Sequence, residues 1–120
     1  MTSSTAMERH RVQEFLGRLD DARREIFRTV ATTDEELAAL DAHQAGGAAE
    51  DVATDTAAAT LSRLEGREKH ELDEIADARA RLAAGTYGTC AGCHRAIPLA
   101  RLRALPAARS CVACQHRAER

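Results

Sequence analysis

Aromatic side chains are almost missing from this sequence: Phe15, Phe27 and Tyr87 are the whole supply, and tryptophan is absent. A thick globular core needs large apolar residues, yet much of the 44% hydrophobic fraction here is alanine, which favours helix and buries little area per residue. Such a chain suits narrow helix–helix contacts. There is no run of 18 uncharged apolar residues, so no membrane-spanning helix is expected. No basic Met-proximal region leads into an apolar stretch of the signal-peptide kind either. The expected compartment is therefore the reducing cytoplasm, where paired cysteines bind metal more often than they crosslink.

Lysine and arginine are missing from Thr29 to Ser62, a stretch that holds seven carboxylates: Asp34, Glu35, Glu36, Asp41, Glu50, Asp51 and Asp55. Nucleic-acid phosphates repel such a surface, whereas basic protein loops or a magnesium-containing environment suit it. The formal charge of −2 hides a segregation. Residues 1–85 carry 18 acidic and 11 basic side chains, and residues 86–120 carry one acidic and six basic.

Residues 1–5 are small and polar and are expected to be flexible. From about Ala6, apolar residues recur at Val12, Phe15/Leu16, Leu19, Ala22, Ile26, Val30, Leu37 and Leu40, the three-and-four spacing of an antiparallel helical pair. Thr33-Asp34-Glu35-Glu36 matches a capping box, so the first arm either restarts at Thr33 or continues through it as one helix. The adjacent Gly46 and Gly47 mark the reversal, which places the hairpin tip near 44–51. A second arm then runs from about Glu50 to Ala84, roughly 50 Å if continuous, and Gly85 marks its end. The expected architecture is all-α: a long coiled-coil hairpin over 6–84 and a four-cysteine finger over 85–120. Leu105-Pro106 interrupts helix within the finger, and a short helix closes the chain from about Cys111.

Cys90-x2-Cys93 and Cys111-x2-Cys114 are separated by seventeen residues. A two-residue spacing lets one tight turn aim two sulfurs at one ion, and two such turns supply the tetrahedral four-thiolate shell of structural zinc. Two disulfides, unligated thiols and iron are the competing readings. A closed thiolate shell leaves no position for water, and His10, His43 and His70 are widely spaced, so no enzyme is expected.

Gly85-Thr86-Tyr87-Gly88-Thr89-Cys90-Ala91-Gly92-Cys93, then Ala96 to Leu102, Leu105-Pro106-Ala107-Ala108 and Cys111 to Gln115, closely resemble the DksA/TraR family of bacterial transcription regulators. The resemblance implies a non-enzymatic regulator that binds RNA polymerase directly, with the finger at the rim of the secondary channel and the coiled-coil tip inserted toward the catalytic centre. Many relatives act with the alarmone ppGpp, for which no residue is assigned here. Family tips present two aspartates separated by two residues, then a residue and an alanine. Here Asp55-Thr56-Ala57 matches the second half, and Val52 stands in place of the first aspartate beside Asp51. Asp51 and Asp55 are four apart and share a helical face, so Asp51, Asp55 and Ala57 form the expected tip. His94 follows Cys93 where glycine is usual, at a position that favours left-handed backbone.

Arg95, Arg101, Arg103 and Arg109 form a candidate basic surface for acidic protein or phosphates. The expected partner is bacterial RNA polymerase, bound by a monomer without sequence-specific DNA or membrane contact. A DNA-binding zinc module and a thiol redox sensor that releases zinc are the rival functions.

Overall fold

Thr33 stops the first helical run. Its Oγ1 accepts the Glu36 amide N–H at 3.1 Å, while the Glu36 carboxylate turns back to accept the Thr32 amide at 2.8 Å and the Thr32 hydroxyl at 3.0 Å. These bonds satisfy donors that a new helix start would otherwise leave open. In the computed structural model, which describes residues 8–44 and 51–119, helix α1 therefore covers Arg9–Val30 and α2 covers Asp34–Gln44.

The interruption reverses the chain. Arg24 Nη2 lies 3.2 Å from Asp41 Oδ2. A continuous helix would hold residues so far apart in sequence roughly 25 Å from each other, so α2 turns back alongside α1. Of the two readings of Thr33, the restart holds.

The second arm corrects the expectation of one long helix from Glu50 to Ala84. Helix α3 is Asp51–Leu61, a turn follows, and α4 is Gly66–Ala84. Tightened bonds mark the break: Arg63 N–H to the Thr60 carbonyl at 3.1 Å and Leu64 N–H to the Leu61 carbonyl at 2.9 Å. Gly66 then adopts φ +47°, a left-handed backbone that an L side chain resists. The Gly85 stop holds as expected. Gly85 has φ +80°, its amide reaches the Leu82 carbonyl at 3.3 Å, and the Thr86 amide reaches the Arg81 carbonyl at 2.9 Å. Those two bonds are the Schellman closure.

The fold is all-α, with antiparallel helices in contact and a C-terminal four-cysteine cluster. Among the described residues the β-type pairing is one isolated antiparallel bridge, Thr89 with Ala96. The expected flexible start at 1–5 and most of the expected reversal, residues 45–50, lie outside the described residues. No helix among the described residues is long and apolar enough to cross a membrane.

The chain divides into two compact units. The unit Asp21–Leu72 is built on α2 packed against α3, with Phe27, Val30, Ala39, Leu40, Ala57 and Leu64 buried together. Alanine at positions 39 and 57 allows close helix approach, and the two larger anchors, Phe27 and Leu40, are fully buried. Thr60 is also fully buried, and its hydroxyl donates to the Thr56 carbonyl at 2.8 Å, so its polar group is satisfied.

The other unit joins the chain up to Asp20 with Asp73 onward. Its buried set includes Phe15, Leu19, Ile75, Ala78, Leu82, Tyr87, Ile97 and Leu102. The Phe15 and Tyr87 rings lie 5.3 Å apart between centroids at 42°, a tilted pairing of the favourable kind. The Tyr87 hydroxyl donates to the Pro106 carbonyl at 2.7 Å, and burial pushes its pKa up to about 12. Arg81 sits over the same ring at 5.9 Å and bonds Asp77, while Arg79 pairs with Asp20. Two of the chain's three aromatic residues are thus spent on the seat of the finger.

Candidate metal centre

The two cysteine pairs are shaped by backbone before any ion is considered. Around the first, the Cys90 amide donates to the Arg95 carbonyl at 2.8 Å and the Ile97 amide to the Gly88 carbonyl at 2.8 Å, which closes a small loop across the Thr89–Ala96 bridge. The His94 amide returns to the Cys90 carbonyl at 2.9 Å, and His94 takes φ +63°. It is the one non-glycine residue with positive φ among those described, at the position where the sequence departs from glycine.

The second pair opens a helix. Cys111 precedes α6, Val112–Ala118, and Cys114 lies within it. Before it, α5 (Leu99–Ala104) ends ahead of Pro106, and the loop that follows is clamped from both sides. Arg101 Nε donates to the Ser110 carbonyl at 2.9 Å, and the Ala91 amide donates to the Arg109 carbonyl at 2.8 Å.

These constraints bring Cys90, Cys93, Cys111 and Cys114 together, with all four sulfurs within 4.8 Å of one another. Cys93 and Cys111 sulfurs stand 4.0 Å apart, and all four cysteines are free, so the disulfide reading falls. Ligands about 2.3 Å from a tetrahedral ion lie about 3.8 Å from each other, a spacing that the Cys93–Cys111 pair at 4.0 Å approaches.

The four sulfurs are not equivalent. Cys90 is buried, and its sulfur accepts amide N–H groups from Gly92 at 3.3 Å, Cys93 at 3.5 Å and Cys111 at 3.3 Å. Those amides, that of Cys111 foremost, bring its pKa down to about 5. Cys111 is lowered as well, chiefly by the Cys114 amide. Cys114 is pushed the other way, to about 11, chiefly by its neighbour Cys111 and by burial. Four thiols this close resist ionising together, and a bound divalent cation removes that conflict. The donor set therefore fits a thiophilic metal ion.

One further group completes the surroundings. Arg117 Nη2 donates to Cys114 Sγ at 3.0 Å, which sets a cation where four thiolates around a divalent ion would leave excess negative charge. Sequence reasoning passed over Arg117, although its place three residues after Cys114 on a helix was the available signal. Gly92 is needed for space: a Cβ there would meet Cys114 Sγ at 3.0 Å and Cys114 Cβ at 3.2 Å.

The candidate basic surface divides in two. Arg95 and Arg109 are exposed, whereas Arg101 holds the Ser110 carbonyl and Arg103 grips Glu14 at 2.8 and 3.2 Å. The acidic stretch divides similarly. Asp34, Glu35 and Asp55 are exposed, but Asp41 is paired with Arg24, and Glu36 is held in a fork by Arg63 at 2.9 and 2.6 Å. The absence of local lysine and arginine did not leave the stretch unpaired, because Arg24 and Arg63 reach in from its flanks. Among the expected tip residues, Asp51 begins α3 with its side chain outside the described atoms, Asp55 is exposed and Ala57 is fully buried.

With this geometry in hand, comparisons with known proteins converge. The prokaryotic dksA/traR C4-type zinc finger family matches residues 85–120. The solved structure of transcription factor DksA2 from Pseudomonas aeruginosa is similar over 99% of this chain and 91% of its own, at 27% identity and a TM-score of 0.61. No curated protein matches the chain by sequence.

Proposed function

We propose that this chain acts as a non-enzymatic transcription regulator of the DksA/TraR kind, binding bacterial RNA polymerase at the secondary channel and modulating initiation. The observation that carries the proposal is the four-sulfur cluster, set within residues 85–120, which match the family finger. In this reading one structural Zn2+ is held by Cys90, Cys93, Cys111 and Cys114, and it orders a finger with too few large apolar residues to fold alone.

The finger offers Arg95 and Arg109 to acidic protein surface, and α2 with α3 offers Asp34, Glu35 and Asp55 to a basic or magnesium-containing environment. Tip chemistry rests on Asp55 together with Asp51, four residues away on α3. The protein works in the cytoplasm as a monomer. A DNA-binding module is disfavoured, because Arg101 and Arg103, two of the four arginines of the candidate basic surface, are engaged within the molecule and so are withdrawn from phosphate contact.

A pull-down with bacterial RNA polymerase tests this, repeated with Asp51→Asn and Asp55→Asn together. Binding is expected to survive in the variant while the effect on initiation falls. Failure of the parent protein to bind polymerase, or salt-sensitive binding to duplex DNA alone, overturns the proposal.

A further inference from the structure

Hydrogen-bond donors are shared unevenly among the four sulfurs. Cys90 draws backbone amides, from Gly92, Cys93 and Cys111, which side-chain substitution does not remove. Cys114 draws a side chain: Arg117 Nη2 donates to its sulfur at 3.0 Å. Both residues lie in α6, three apart, so a single helical turn sets the guanidinium beside the sulfur. The one carboxylate of residues 86–120, Glu119, is engaged by Gln115 Nε2 at 2.8 Å, which leaves the arginine to the sulfur.

A cation at this corner matters because of what the cluster is suited to hold. Four thiolates around one divalent ion leave a charge of about −2, crowded onto sulfurs that lie within 4.8 Å of one another. An arginine at hydrogen-bond distance offsets part of that excess, and it keeps its charge at every physiological pH. Arg117 also stands in the last turn of α6, where a cation suits the helix end. A role confined to the helix end leaves metal affinity untouched, so the two roles differ in what they predict.

We propose that Arg117 is a positioning residue of the metal centre: it hydrogen-bonds the Cys114 thiolate, offsets the charge of the closed thiolate shell, and so sets how firmly the finger keeps its ion. This rests on the reading of the cluster as a zinc site. The grip at Cys114 then depends on an exposed, replaceable side chain, whereas the surroundings of Cys90 are fixed by backbone.

Zinc affinity of the full chain, measured by competition with a chromophoric chelator under reducing conditions, tests the proposal. Because the guanidinium is exposed, its loss belongs at the low end of the effects seen for groups next to a ligand shell, and Arg117→Ala is expected to weaken zinc binding about five- to tenfold. Arg117→Lys keeps the charge and is expected to restore most of the loss. Arg117→Gln, a donor without charge, is expected to stay near the alanine variant. Higher ionic strength should narrow the gap between parent and Arg117→Ala. In the Co2+-loaded chain, losing the hydrogen bond should move the sulfur-to-cobalt charge-transfer absorption to longer wavelength, a shift that a role at the helix end does not produce.

Gln115→Ala serves as the control, since it breaks the bond to Glu119 on the same helix and is expected to leave zinc affinity and the cobalt spectrum at parent values. Equal zinc affinity in parent and Arg117→Ala overturns the proposal, as does a loss in Gln115→Ala as large as that in Arg117→Ala. If the parent takes up no zinc, the zinc reading fails and the proposal falls with it, a result distinct from parent and variant binding zinc alike.

Discussion

Glu14 and Arg103 meet at 2.8 Å across 89 residues of sequence, joining α1 to the helix that follows the first cysteine pair. Arg18 bonds the same carboxylate at 2.9 Å. The two guanidiniums hold the Glu14 carboxyl at about 2, Arg103 contributing most, and Arg63 does the same for Glu36.

Both carboxyl groups are more acidic folded than the ordinary value of 4.5, so each contributes stability that is complete above that value and lost as pH falls toward about 2. Acid denaturation is expected to steepen below about pH 4.5. The double variant Glu14→Gln with Glu36→Gln should be less stable than the parent at neutral pH and show a flatter profile in this window. Denaturant midpoints measured across pH 2 to 7 check this, and parallel profiles for parent and variant would count against it.

His94 occupies left-handed backbone at φ +63°. Such a conformation costs a residue with a side chain roughly 1–2 kcal/mol, which glycine avoids at the expense of greater freedom when unfolded. His94→Gly is therefore expected to stabilise the zinc-loaded finger by about 1 kcal/mol, read from the midpoint of thermal or urea unfolding.

Gly92 leaves no room beside Cys114. A sulfur fixed by a metal cannot shift to make way for a methyl group, so Gly92→Ala is expected to weaken zinc binding roughly tenfold, in the manner of other changes next to a ligand shell. Competition with a chromophoric chelator measures it. Complete chelation of the parent should melt the finger while helix signal from Asp21–Leu72 persists.

Phe15 and Phe27 are both fully buried, but in different units. Truncating either to alanine is expected to cost about 3–5 kcal/mol. Phe15→Ala also removes the partner of Tyr87 and should loosen the seat of the finger, whereas Phe27→Ala should strip protection from α2 and α3. Residue-resolved exchange separates the two patterns.

What could be read in the sequence was local chemistry. Two cysteine pairs, Gly85 as a helix stop and Thr33 as a cap each announce themselves within a few residues, and each takes the expected place. The break after Leu61 did not, because its cause is distributed. Gly66 was a visible local hint, but the partners that stabilise the turn are Val30 and Glu36, 33 and 27 residues from Arg63. Alanine-rich helices blur the matter further, since weak apolar periodicity is equally compatible with one long arm and with two short helices folded together. Charge counting had the same limit: it ranked Arg101 and Arg103 with Arg95 and Arg109, although contacts with Ser110 and Glu14 set the first two apart.

The amide bonds to Cys90 bear on how this finger can change over evolutionary time. Three backbone amides, from two segments of the chain, use that sulfur as an acceptor, including the amide that begins the second cysteine pair. A lineage that exchanges Cys114 for another donor alters one corner of a coordination shell and one arginine contact. A lineage that loses Cys90 also loses the point where the two halves of the finger find their mutual register. Four cysteines in one cluster therefore leave very different room for drift, and the first in the chain leaves the least.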